Sequence, residues 1–364
     1  MGTRAMTPEL PETRLPLGYR PSLDGLRAFA VLAVMSWHYV VPGVKGGFLG
    51  VDLFFVLSGF LITKLLLEEW ERTDRIHLGH FYLRRVLRLF PALLLVLLAT
   101  WPFVERIWTL QALLYVTNWG ILAGHLNSSP IMQLWSLSVE EQFYLVWPPL
   151  LLLLLWRRTP RRVIGGLVVA LASASAVFKL VAWRSVDDWS RFYFGSDGRA
   201  DQLLIGCLVA MLLSWTRWPA QTWFRTTVRV LMLPALVWLG YLIVNSAIYW
   251  DLFYRRGGMT LVALAAAVVI LQCMVAPVPG VRSFLAWRPM VAIGRMSYGL
   301  YLWHSPVGWF TDARHYDWVP VMSRPVQFVV RVALTFLIAW LSHRFVETPL
   351  LRLKDRWRTV REPA

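Results

Sequence analysis

Long apolar runs, separated by short turns rich in arginine and tryptophan, dominate the pattern of this chain. A hydrocarbon layer about 30 Å thick is crossed by roughly 20 residues of helix, and ten stretches meet that length loosely. The pattern therefore predicts an all-α fold, a polytopic integral membrane bundle of about ten transmembrane helices. The predicted spans are 23–41, 48–67, 86–104, 140–156, 163–183, 200–215, 229–247, 258–276, 290–310 and 325–346.

The segment 107–139 decides the predicted topology, because its apolar stretch Leu110–Leu122 contains Gln111 and Asn118. If this segment does not span, 22 Lys and Arg residues fall on the side of the N-terminus and nine on the opposite side. If it spans, Arg157–Arg162 changes sides and every later loop inverts. The positive-inside rule favours the first arrangement, with both termini cytoplasmic and 107–139 external or re-entrant.

The predicted organisation is a single membrane domain, residues 23–349, between a cytoplasmic tail 1–22 and a basic cytoplasmic tail 350–364. No small-residue cleavage site lies near the first apolar run, which is therefore predicted to be a retained helix rather than a signal peptide. The location that follows is the cell (cytoplasmic or inner) membrane, crossed several times.

Composition agrees with a membrane protein, since 57% of the 364 residues are hydrophobic and 16% are charged. The formal net charge of +16 does not indicate a nucleic-acid partner, because the basic residues lie between apolar runs rather than on one solvated patch. The two cysteines, Cys207 and Cys273, lie inside apolar segments, so neither a disulfide framework nor a cysteine-based metal site is expected.

Two ionisable residues of the first span, Arg27 and His38, are the first candidates for function, because ionisable groups inside a membrane are costly. Eleven residues of helix make three turns plus about 20°, so both side chains lie on one face, roughly 16 Å apart along the axis. The alternatives are a snorkelling arginine and a hydrogen-bonded structural histidine.

Three arginines, Arg84, Arg85 and Arg88, open the third predicted span. Positive-inside anchoring would explain them. A phosphate-binding cluster would explain them equally well, since guanidinium groups bind phosphate in a bidentate manner. Both interpretations remain open at this point.

Glu140 opens the fourth predicted span at the depth predicted for His38, so its carboxylate could orient that imidazole as in base-assisted acyl transfer. Helix capping by Ser136 or Ser138 is the alternative. Asp52 is expected to cap a helix or to form an ion pair. His304 lies inside the ninth predicted span and is either structural or part of a substrate path.

Six motifs in order resemble the membrane acyltransferase 3 family, which includes bacterial O-antigen, exopolysaccharide and peptidoglycan O-acetyltransferases and macrolide acyltransferases. The resemblance extends from Leu23 to Pro349. Its motifs are Leu23-Asp24-Gly25-Leu26-Arg27 followed after ten residues by His38, Gly50-Val51-Asp52-Leu53-Phe54-Phe55-Val56-Leu57-Ser58-Gly59-Phe60, Arg84-Arg85-x-x-Arg88-x-x-Pro91, Trp135-Ser136-Leu137-Ser138-Val139-Glu140, Tyr298-x-x-Tyr301-x-Trp303-His304 and Glu347-Thr348-Pro349.

The resemblance implies an acyltransferase that takes an acyl group, usually acetyl, from acyl-CoA, which is a co-substrate rather than a permanently bound cofactor. It implies a catalytic role for Arg27, His38 and Glu140, and Glu141 is left out because the motif fixes only the first acid. It identifies Arg84, Arg85 and Arg88 as the family's cytoplasmic arginine motif, which we expect to bind the donor. The candidates for substrate binding are Trp135, Asp52, Arg199, His304 and Tyr301.

Some relatives add a C-terminal SGNH-type esterase domain, which we do not expect here because the chain ends about fifteen residues after Pro349. The expected partners are then acyl-CoA, a carbohydrate or glycolipid acceptor, membrane lipid and a possible separate periplasmic acyl-relay protein.

The mechanism expected from spacing and resemblance places the CoA phosphates on the arginines, with its pantetheine arm in the bundle and its thioester near His38. His38 then acts as the general base or takes the acyl group itself. Competing hypotheses are a transporter or flippase of an anionic lipid or sugar, an acyltransferase for a macrolide-like small molecule, and a membrane scaffold.

Overall fold

The computed structural model describes residues 16–125, 129–182, 189–246, 257–317 and 319–350. Every regular element in these ranges is helical, which confirms the all-α prediction. Residues 1–15 and 351–364 of the two predicted tails lie outside the described residues. The α-helices are α1 Pro21–His38, α2 Leu49–Thr73, α3 Leu78–Thr100, α4 Arg106–Leu113, α5 Thr117–Leu122, α6 Leu134–Trp156, α7 Arg161–Ala182, α8 Trp189–Phe194, α9 Ser196–Trp215, α10 Thr222–Asn245, α11 Met259–Val275, α12 Pro279–Leu285, α13 Arg288–Arg295, α14 Ser297–Phe310 and α15 Arg324–Ser342.

Six helical segments of the described chain are long and apolar enough to cross a membrane: α2, α3 with the following turn, α7, α9, α10, and α15 with the residues after it. The bent pair of α11 and α12, with 96° between its helices, would add a seventh. The protein is therefore a multi-pass membrane protein. Ten spans remain a prediction, since α1, α6 and α14 are not among these segments.

Close helix packing depends on glycines at the crossings. A β-carbon at Gly59 on α2 would collide with the carbonyl of Leu203 on α9, and one at Gly206 on α9 would collide with the carbonyl of Val56 on α2. Small residues let backbones approach closely in lipid, where van der Waals packing rather than the hydrophobic effect holds helices together. This pair of glycines therefore sets the distance between α2 and α9.

The two ends of α1 define the two ends of the bundle, which are called proximal and distal. At the proximal end, where α1 begins, Gly25 packs on the backbone of Leu285, and Gly294 packs on the backbone of Asp24. At the distal end, where α1 finishes at His38, the start of α2 packs against it. The proximal end corresponds to the predicted cytoplasmic side.

The helices α4 and α5 enter the bundle beside α6 without spanning it. They contain eight and six residues, well below the roughly 20 needed to cross. The carbonyl of Tyr115 between them accepts a hydrogen bond from Gln142 Nε2 at 2.7 Å, and Thr117 N–H donates to Ser138 Oγ at 3.2 Å. Gln142 lies about 12 Å along α6 from its first residue, so the turn between α4 and α5 reaches that depth.

Three predicted spans differ from the structure in ways that affect the site, and one of them is the fourth, because α6 begins at Leu134 rather than at residue 140. The ninth, 290–310, is wrong as a continuous helix, because it is interrupted at Met296 between α13 and α14. A hydropathy average does not detect this break. Next to the break, Gly294 packs against the backbone of Asp24. The third begins at Leu78 rather than at residue 86, so Arg84, Arg85 and Arg88 lie within α3.

The connection between α14 and α15 contains a charged turn centred on Asp312. Arg314 donates to its carboxylate from Nε at 3.0 Å and Nη2 at 2.6 Å, and Arg331 on α15 donates from Nη2 at 3.3 Å. The hydrogen bonds from Arg314 hold the pKa of Asp312 well below its usual value.

Candidate functional site

An elongated cavity of about 260 Å³ lies between α1, α2, α3, α6 and α14. Its wall on α2 runs from Val51 to Leu65, which corresponds to about 21 Å of helix rise. The proximal end of this wall is Leu65, whose side chain is 50% exposed. At the distal end Tyr301 and Ser136 close it, with their hydroxyl oxygens hydrogen-bonded at 2.6 Å.

Arg27 and Arg88 both line this cavity. Arg27 Nε donates to Ser297 Oγ at 3.2 Å. Arg88 is exposed to the cavity and forms no hydrogen bond or ion pair with any residue that the structure describes. Two guanidinium groups in one cavity, neither of them ion-paired with a carboxylate among the described residues, form a site that favours an anion.

The arginine motif does not act as one cluster. Arg84 lies off the cavity wall, with Nη2 3.8 Å from a carboxylate oxygen of Glu69. Arg85 lines the cavity, but its Nη2 donates to Glu141 at 3.0 Å and its guanidinium carbon lies 3.4 Å from the centroid of the Tyr144 ring. Of the three, Arg88 is thus the residue most available to a ligand.

Glu140 lies in the cavity wall, where it accepts a hydrogen bond from Ser58 Oγ at 2.7 Å. We expected it to orient His38, and the structure does not bring the two together. The His38 ring bonds instead to the carbonyl of Val34, at 3.0 Å from Nδ1. The expected depth is wrong because α6 begins at Leu134, so that Glu140 lies well inside the bundle at the level of Arg27.

Two histidines face each other at the distal end, with the rings of His38 and His304 4.8 Å apart. Nδ1 of His304 lies 2.6 Å from the carbonyl of Tyr301. Since a carbonyl only accepts hydrogen bonds, Nδ1 carries the proton in both rings, and Nε2 keeps its lone pair. His304 Nε2 is buried and has no partner among the described residues. Each ring can therefore act as a base through Nε2.

The cavity and His38 are close but not joined. Tyr301 lines the cavity, its ring lies 5.3 Å from that of His304, and His304 in turn contacts His38. His38 itself is not on the cavity wall and is exposed at the distal end. The residues Tyr301 and His304 thus separate the arginine-lined cavity from His38.

The structure places Asp52, Arg199 and Trp135 in a buried network and leaves all three off the cavity wall. Arg199 Nη1 donates to Asp52 at 2.9 Å, Gln202 donates to the same oxygen at 2.6 Å, and the guanidinium lies over the rings of Tyr193 and Trp135. The ion-pair alternative for Asp52 is thus present. These contacts join α2, α6 and α9, and the substrate contacts expected of the three residues stay a prediction.

Sequence reasoning missed Ser58, Tyr144, Ser297 and Glu141. The first three line the cavity, and Glu141 pairs with Arg85. Two signals could have found two of them. Ser58 lies in a motif already quoted, and Tyr144 follows Glu140 by four residues, which places both on one face of α6.

Comparisons with known proteins agree with this arrangement of motifs. Residues 20–344 match the family model described as Acyltransferase domain. The peptidoglycan O-acetyltransferase OatA of Listeria monocytogenes is 36% identical over 358 residues, which cover 93% of this chain and 57% of that protein. The O-acetyltransferase OatA of Staphylococcus aureus is 35% identical over 356 residues, covering 91% of this chain and 57% of that protein. The chain thus spans little more than half of these relatives, and no solved structure matches it.

Proposed function

Since residues 20–344 match that model, the chain belongs to the family of acyltransferase domains, and from this premise we propose that it is a membrane-bound O-acetyltransferase. The donor in this proposal is cytoplasmic acetyl-CoA, and the acceptor is a hydroxyl of a cell-surface carbohydrate. The names of the relatives support a carbohydrate acceptor over a macrolide-like small molecule. The observation that carries the proposal is one cavity with arginines on its wall and a pair of histidines beyond Tyr301 at its distal end.

The donor fits the cavity in one orientation. Its phosphates are anionic and belong with Arg27 and Arg88, while its slim pantetheine arm extends toward Tyr301. The roughly 21 Å of cavity wall along α2 exceeds the roughly 16 Å that separates Arg27 from His38 along α1. A pantetheine arm can therefore be enclosed along this wall as far as Tyr301, which separates it from the histidines.

In the proposed chemistry, Nε2 of His38 removes the proton from the acceptor hydroxyl as its oxygen attacks the thioester carbonyl. The tetrahedral intermediate expels the CoA thiolate, which takes the proton back from the imidazolium. For the thioester to come close to His38 by either route, the rings of Tyr301 and His304 must move aside, because both lie between. The alternative is that His38 takes the acyl group first and passes it on.

The test uses the full chain in proteoliposomes with labelled acetyl-CoA on the proximal side and an oligosaccharide on the other. We expect acetylated oligosaccharide from wild type and none from His38→Ala, which should bind acetyl-CoA as wild type does. Rapid quench without acceptor separates the two routes, since only the covalent one gives labelled protein. Substrate movement without acetyl-CoA would favour a transporter and refute the proposal.

A further inference from the structure

Tyr19 and Arg295 form an exposed pair at the proximal end of the bundle. Arg295 Nη2 donates to the Tyr19 hydroxyl at 2.8 Å, and the guanidinium carbon lies 5.4 Å from the ring centroid. Tyr19 is 62% exposed, and the Arg295 side chain is 60% exposed. An aromatic ring and a guanidinium group that both remain accessible can together bind a base and a phosphate.

This pair lies about one helical turn outside the arginine-lined cavity. Arg295 Nε is 3.8 Å from the carboxylate of Asp24, which precedes Arg27 on α1 by three residues, or about 4.5 Å of rise. A second link is Ser297, which accepts a hydrogen bond from Arg27 and follows Arg295 by two positions in the sequence. Arg295 therefore lies outward of Arg27, toward the proximal surface.

The segment that carries Tyr19 follows the rim of the cavity. Leu17 N–H donates to Glu68 Oε1 at 2.6 Å, and Glu68 follows the cavity residue Leu65 by three positions on α2. Residues 16–20 thus extend from the end of α2 to α13. The negative charge of Glu68 is offset by Lys64 at 3.4 Å and Arg72 at 3.7 Å, so Asp24 is the acid that directly faces Arg295.

We propose that the Tyr19–Arg295 pair binds the adenosine 3′-phosphate part of acyl-CoA, an inference that rests on the proposed function. Tyr19 stacks on the adenine ring, and Arg295 contacts the 3′-phosphate. Arg27 and Arg88 then contact the diphosphate. The order of these groups in CoA, with the nucleotide outermost and the pantetheine innermost, matches the order of the cations from the surface into the cavity.

Three probes test this assignment on the full chain in nanodiscs: CoA, 3′-dephospho-CoA and pantetheine. We expect wild type to bind CoA about fivefold more tightly than 3′-dephospho-CoA, the size of one partly exposed charged contact. Arg295→Gln should remove that preference by weakening CoA binding alone. Tyr19→Ala should weaken both nucleotides without affecting pantetheine, and Tyr19→Phe, which keeps the ring, should bind as wild type does.

Arg288→Gln, which removes an exposed arginine from the same helix α13, is the matched control and should bind all three probes as wild type does. Thermal unfolding of each variant checks that the fold is intact. Equal loss of CoA and 3′-dephospho-CoA binding in Arg295→Gln, or no loss, would overturn the inference while leaving the proposed function standing. If wild type binds neither nucleotide, the proposed function itself fails.

Discussion

Replacing Arg88 by alanine should weaken acetyl-CoA binding much more than the same change at Arg84. Arg88 lines the cavity and has no hydrogen-bonded partner in the described part of the chain, so its guanidinium is available to a phosphate. Arg84 lies off the cavity and 3.8 Å from Glu69. The two residues are one helical turn apart on α3, which makes Arg84 a matched control for charge, length and position.

The expected magnitude follows from the interaction that Arg88 makes with a phosphate group. A hydrogen bond to a charged group contributes roughly 1.5 to 3 kcal/mol, and its removal raises a dissociation constant roughly 10- to 150-fold. The ion pair of Arg84 with Glu69 is partly exposed and separate from the cavity, so its removal should change acetyl-CoA binding less than about threefold.

Calorimetric titration of the purified variants with acetyl-CoA measures both effects. A second readout is the stabilisation by ligand, because a ligand that binds only the folded protein raises the unfolding temperature further the more tightly it binds. Wild-type affinity in Arg88→Ala, or an equal loss in Arg84→Ala, would refute the division of the arginine motif into a ligand-binding and a peripheral residue.

Further changes test the packing. Arg199→Met should destabilise the protein by about 3–5 kcal/mol, because it leaves the Asp52 carboxylate buried without its cation, and the double variant with Asp52→Leu should recover most of this in thermal unfolding. Gly206→Ala should cost about 1–3 kcal/mol by pushing α2 from α9, whereas Gly240→Ala, which has open space, should not. Folding lowers the pKa of Asp312 from 3.8, so its carboxylate adds stability above that pH. The difference in melting temperature between wild type and Asp312→Asn should therefore shrink as the pH falls below about 4.

The sequence predicted well what depends on one helix alone. The eleven-residue spacing from Arg27 to His38 predicted a common face, and both side chains contact α14, through Ser297 and His304. The all-α class and the membrane environment followed from the length and apolarity of the runs. Each of these inferences needs only the period and rise of one helix.

The sequence failed where the relative height of two helices matters. Glu140 was expected at the level of His38, yet α6 starts six residues earlier than predicted, and its carboxylate lies at the level of Arg27. The sequence did not predict the partner of Asp52 either, because the periodicity of α2 contains no information about which residue of α9 lies opposite. Long-range pairing of polar groups becomes visible only when the helices are packed.

The buried ion pair of Asp52 and Arg199 also bears on how the protein is made. The two residues are 147 positions apart, so ribosomes release α2 into the membrane well before α9 exists. An isolated carboxylate in lipid is costly, and its cation arrives only with the ninth helix. We therefore expect the early helices to remain loosely associated, or shielded by the insertion machinery, until α9 is inserted and locks them into their final arrangement.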